Sequence, residues 1–109
     1  MAENFSLSIE GKGDEVSILR DDLENALNVL DPFSFLILDN GEAYMQVILD
    51  HDEFYDSVIE MRNYSETDWK HYRKIGMQLS EIILVFLSFY DNDILPQTSD
   101  WEDVTVQMQ

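Results

Sequence analysis

Cysteine is missing from this chain, which excludes disulfide staples, thiolate metal sites and a cysteine nucleophile. Glycine is scarce: with only Gly11, Gly13, Gly41 and Gly76, no glycine-rich loop can cradle a phosphate. The Gly-x-Gly-x-x-Gly, P-loop, Gly-x-Ser-x-Gly and His-Glu-x-x-His patterns are all absent from the 109 residues, so no recognised catalytic signature exists and no enzyme is expected. Long apolar runs are lacking too. The longest nearly continuous one, Ile82 to Phe89, falls far short of the ~20 residues that cross a bilayer. The first residues, Met1-Ala2-Glu3-Asn4, have neither the basic nor the apolar segment of a secretory signal, and a cytoplasmic location is expected.

Positive charge is the scarcest resource. Six Lys and Arg face 23 Asp and Glu, for a formal net charge of −17. Nucleic acid and anionic membrane surfaces would repel such a chain, so neither is an expected partner, and a charged partner should be basic. The simpler reading is that the charge maintains solubility. The chain is not a disordered acidic tail, because 45% of its residues are hydrophobic and 12% aromatic, enough apolar surface to fold. One acidic domain spanning residues 1–109 is expected, with room for a single moderate core. Four of the six basic residues, Arg62, Lys70, Arg73 and Lys74, cluster in one stretch opposed only by Glu66 and Asp68. Part of their task is to offset carboxylates on neighbouring strands.

Alternation of Phe5, Leu7 and Ile9 with polar residues predicts a strand, followed by a turn at 11–14 and a short return strand over Val16 to Leu19. Leu23, Ala26, Leu27 and Leu30 have helical spacing behind Asp21 and Asp22, and Pro32 stops the chain, which predicts a helix at about 21–30. Phe33 to Leu38 reads as a buried strand. Asn40-Gly41 marks a hairpin, returning as Ala43 to Leu49 with Tyr44, Gln46 and Ile48 on one face. A polar turn over Asp50-His51-Asp52-Glu53 precedes a strand from Phe54 to Tyr64, and Ser65 to Asp68 turns into a strand from Trp69 to Ile75. Leu79, Ile82, Ile83, Phe86, Leu87 and Tyr90 then fit an amphipathic helix over about 80–90, capped near Ser80. From about residue 92 the tail is expected to be partly irregular, with Trp101, Val104 and Val106 either returning to the sheet edge or covering the core. The order predicts an α+β fold: an antiparallel sheet of about four to six strands with two helices packed on one face.

The densest set of candidate ligands is Asp50, His51, Asp52 and Glu53. Alternate carboxylates suit a hard cation, but the twelve-residue loop with its central glycine is not here, and a solvated acidic hairpin is the simpler expectation. His51 and His71 are twenty residues apart, with no local zinc spacing. His71, between Trp69 and Arg73 on one strand face, reads as a packing or hydrogen-bonding residue. No catalytic, cofactor or metal-binding residue is therefore assigned, and no cofactor is expected. Surface acids steer a partner more than they hold it, and tight binding needs aromatic anchors. Asp50, Asp52, Glu53 and Asp56, with Tyr44 and Tyr55, are the candidate partner-binding residues. Tyr64, Tyr72, Trp69 and Trp101 are further aromatics to consider.

Several short pieces occur in a telling order: Phe35-Leu36-Ile37-Leu38, Tyr44-Met45-Gln46-Val47, Glu60-Met61-Arg62, His71-Tyr72-Arg73, Phe86 to Tyr90 and Trp101-Glu102. In this order the stretch from Phe33 to Trp101 resembles small α+β immunity proteins of bacterial polymorphic-toxin loci. The resemblance implies a cytoplasmic protein without enzymatic activity that binds and neutralises a cognate protein toxin, often a nuclease or deaminase. Two rivals stand beside it: a nucleic-acid-mimic inhibitor of the anti-restriction or anti-CRISPR kind, and a small metal-dependent or acid–base enzyme using Asp50 to Glu53 with His71.

Overall fold

A computed structural model describes residues 5–11, 13–16, 18–30, 34–50, 56–63, 69–97 and 100–108. The chain runs β1 (Ser6–Ile9), β2 (Gly13–Val16), α1 (Arg20–Asn28), β3 (Phe35–Asp39), β4 (Ala43–Asp50), β5 (Asp56–Asn63), β6 (His71–Ile75), α2 (Leu79–Asn92), β7 (Glu102–Asp103) and a short 3₁₀ turn, Thr105–Met108. All pairings are antiparallel and the sheet order is β2-β1-β3-β4-β5-β6-β7. This is the expected α+β fold. Six strands make up the sheet, and the two-residue β7 adds a seventh at the edge.

The ladder sorts side chains onto two faces, because paired residues lie on the same side and neighbours along a strand on opposite sides. One face carries Leu7, Leu38, Met45 and Met61 in line across β1, β3, β4 and β5, with Leu36, Val47 and Ile59 in the next line. All seven are buried and share one cluster with Leu23 and Leu27 of α1 and Ile82, Phe86 and Phe89 of α2. Phe5 joins the sheet to α2, its ring 5.0 Å from that of Phe89 and nearly perpendicular, a favoured edge-to-face contact. Among the described residues, the other face adds none to this cluster.

The hairpin between β3 and β4 shows local chemistry choosing a turn. Gly41 has a φ of 89°, which glycine adopts without steric cost. The Asn40 side-chain oxygen accepts from the N–H groups of both Glu42 and Ala43 at 2.8 Å, the side-chain-to-backbone bonding that favours Asn in turns. Asn40 Nδ2 also donates to Asp93 just beyond α2, tying the hairpin to the helix end.

Several boundaries differ from the sequence reading. β2 is Gly13–Val16 and not Val16 to Leu19, because Ile9 pairs directly with Gly13 and the turn is tighter than the glycine pair suggested. The N-cap of α2 is Gln78, which makes no side-chain cap hydrogen bond, rather than Ser80. It runs through Asp91 and Asn92 to stop at Asp93, which adopts left-handed backbone at φ 59°. α1 ends at Asn28, two residues short. β6 starts at His71, although Asn63 N–H still donates to Lys70 O. In the tail, β7 pairs with Tyr72 and Arg73 and Val104 is buried, whereas Val106 is 82% exposed and does not cover the core.

Candidate functional site

Chemistry-bearing side chains converge on the face away from the core cluster. Backbone register aligns Asp39, Tyr44, Arg62 and His71 across β3, β4, β5 and β6. The adjacent line is Ile37, Gln46, Glu60, Arg73 and Glu102. Beyond it lies an apolar line of Phe35, Ile48, Val58 and Ile75, of which Ile75 is 60% exposed.

At the centre is His71, wholly buried. Its Nε2 lies 2.5 Å from Glu60 Oε1, and its Nδ1 is 2.9 Å from Arg62 Nε. A guanidinium can only donate, so Nδ1 accepts and the ring proton sits on Nε2, aimed at the carboxylate. Glu60 also accepts from Arg73 Nε through Oε2 at 3.3 Å. Arg62 lies with its guanidinium carbon 4.4 Å from the centroid of the Trp69 ring, a cation–π stack. The Tyr44 ring stands edge-on to His71, centroids 6.2 Å apart. Burial pushes the Tyr44 hydroxyl above its usual pKa, and Glu60 and Asp39 push the same way while Arg62 opposes them.

The C-terminal segment closes the site from the edge. The His71 N–H donates to Thr105 Oγ1 at 3.0 Å, and that hydroxyl donates to Asp103 Oδ1 at 2.6 Å. Val104 N–H donates to His71 O. Asp103 is held below the usual carboxylate range, first by the Thr105 hydroxyl and then by the Thr105 N–H. Among the described residues, no buried side-chain polar atom lacks a partner.

Of the sequence candidates, the structure places Tyr44 in this cluster. Asp50 and Asp56 face each other by backbone register at the end of the β4–β5 ladder, two positions beyond the apolar line. Asp52, Glu53 and Tyr55, with His51, lie outside the described residues. Sequence reasoning placed His71 as a hydrogen-bonding residue but did not join it to Glu60 and Arg62. The signal was present in the steps Glu60-x-Arg62 and His71-x-Arg73, which antiparallel register sets side by side. Among the described residues, no group of three or more His, Asp and Glu is arranged to hold a metal ion. No described helix is long and apolar enough to cross a membrane.

Compared with known proteins, the chain matches no family model, no curated protein and no solved structure.

Proposed function

We propose that this is an immunity protein: a cytoplasmic, non-catalytic inhibitor that binds a basic protein toxin, of the nuclease or deaminase kind, and occludes it by contact. The observation that carries the reading is a net charge of −17 on a domain whose second sheet face, among the described residues, takes no part in the core cluster. Charge of that size attracts a basic partner and speeds its approach. That face supplies what steering cannot, since Tyr44, Arg62 and Trp69 are of the types that dominate interface energetics. Beside them run Phe35, Ile48, Val58 and Ile75, apolar area to be removed from water.

The state of His71 supports contact over catalysis. A general acid–base histidine must reach its substrate, yet this ring is wholly buried and both its nitrogens are engaged with Glu60 and Arg62. The ordered resemblance from Phe33 to Trp101 points the same way. The test is co-purification of the tagged protein from its native host, followed by identification of the bound chain. A basic protein whose toxicity is relieved by this chain is the expected result. Recovery of nucleic acid or lipid alone would end the immunity reading.

A further inference from the structure

We propose that Asn40–Gly41 is a covalent self-modification site, kept closed in the folded protein by the β3–β4 turn and opened when Asp93, at the end of α2, releases it. The chemistry is independent of the immunity reading.

Asparagine is thermolabile because the backbone nitrogen that follows it can attack its carboxamide carbon. A side chain on the following residue hinders that attack, and of the six asparagines only Asn40 is followed by glycine. Gly41 is exposed, with no more distant residue within 4 Å of where a β-carbon would stand, so solvent reaches the turn. In the step itself, hydroxide takes the proton of the Gly41 N–H and the nitrogen bonds to Asn40 Cγ. The Cγ–Nδ2 bond breaks, and Nδ2 takes a proton from water and leaves as ammonia. Water then opens the cyclic imide at one carbonyl or the other, leaving aspartate or isoaspartate.

The folded turn opposes this step at both ends. Gly41 N–H donates to Asp39 Oδ1 at 2.7 Å, and a carboxylate beside an N–H disfavours loss of its proton. Asn40 Nδ2 donates to Asp93 Oδ1 at 2.8 Å. Ring formation must break both contacts, since the first occupies the nucleophile and the second holds the leaving group. Asn40 Oδ1 meanwhile accepts from the Glu42 and Ala43 N–H groups at 2.8 Å, which keeps the carboxamide within the turn. The Asp93 contact reaches across 53 residues of chain, whereas the others are local. Asp93 lies just past α2 in left-handed backbone, where the helix dipole opposes its charge. Helix ends open locally more readily than a core does, so this residue sets how often the turn is free to react. Conversion to aspartate turns the Asn40–Asp93 hydrogen bond into a meeting of two carboxylates. Isoaspartate also lengthens the backbone beside the Asp39–Tyr44 pair, at the edge of the candidate site.

The test incubates the intact protein in mildly alkaline buffer, folded and in urea, and follows each asparagine by peptide mapping with mass spectrometry. Asn40 should convert about tenfold or more slowly when folded, because the reaction waits on local opening. Asp93→Gly keeps the left-handed backbone but removes the acceptor, and should speed the folded reaction about tenfold, as loss of a hydrogen bond to a charged group does. Asp93→Asn, which still accepts, should react no faster than the original. Urea well below the unfolding midpoint should leave the folded rate unchanged, since local opening exposes little surface. Equal rates in the folded and unfolded chain, or Asp93→Gly at the original rate, would overturn the proposal. So would a folded rate that climbs with urea as global unfolding does. A folded rate above the unfolded one would overturn it too, and would mean that the two donors on Oδ1 activate the carboxamide.

Discussion

His71 commits both ring nitrogens within the ladder, so replacing it strands two charged neighbours at once. His71→Leu should cost about 1–3 kcal/mol, the usual penalty for leaving buried hydrogen-bonding groups unpaired. Denaturant midpoints with an unchanged slope would measure it, and a loss well below that range would mean that Glu60 and Arg62 turn to water without penalty. Thr105 bridges His71 N–H to Asp103, and a pH effect follows. A carboxyl depressed on folding adds stability at pH above its unfolded value, and this is lost as pH falls through its lower, folded value. Thr105→Val removes the first cause of the depression at Asp103, so that carboxyl should titrate at higher pH and its share of the acid-side loss should shrink. Carboxyl titration by NMR reads this directly, and an unmoved Asp103 would contradict it. At this scale the sequence revealed residue types and faces but not partners. The alternation placed Tyr44 with Gln46 and Ile48, and His71 with Trp69 and Arg73, correctly. Only register, a long-range property, brings Glu60, Arg62 and His71 within hydrogen-bond reach.

Among the elements, α2 should contribute most to the core. Phe86 is wholly buried against the sheet cluster, and Phe86→Ala should cost about 3–5 kcal/mol, a large share of the ~5–15 kcal/mol that holds a domain together. Calorimetric or denaturant unfolding checks this, and a loss below about 1 kcal/mol would place that helix face outside the core. The end of the same helix carries a built-in penalty. Asp93 sits in left-handed backbone, and it and Asp91 place negative charge where the helix dipole is already negative. Asp93→Asn tolerates that backbone, can still accept from Asn40 Nδ2 and removes one charge. It should raise stability by about 0.3–1 kcal/mol; a decrease would show that the Asn40 contact needs the carboxylate. Elements with strong periodicity, β1, β3, β4 and α2, were legible because burial alone dictates their pattern. Their ends were not, since Gly13 enters β2 through pairing with Ile9, and exposed Asn92 stays helical while its side-chain amide donates back to Ser88 O one turn earlier. β7 was hardest to read: two acidic residues pair with Tyr72 and Arg73 only because the chain arrives beside β6.

The molecule as a whole carries far more negative charge than its internal pairs absorb. Arg20–Asp91 and Arg73–Glu60 are the arginine–carboxylate pairs among the described residues, so self-repulsion should weaken the fold at low ionic strength. Screening shortens to ~10 Å at 0.1 M salt, and unfolding midpoints should rise from dilute buffer to moderate salt. Midpoints that stay level would mean that the acids are spaced widely enough not to interact. The same charge was plain in the composition, whereas only the ladder separates the side that joins the core cluster from the opposite one. The central claim is that charge brings a basic protein to this surface and that Tyr44, Arg62 and Trp69 hold it there. Association and dissociation rates with the captured partner, measured across a salt series, test that claim most directly. The account predicts that association slows steeply with salt while dissociation changes little, and that Trp69→Ala speeds dissociation without altering association. Rates indifferent to salt, with a Trp69→Ala complex as long-lived as the original, would contradict it.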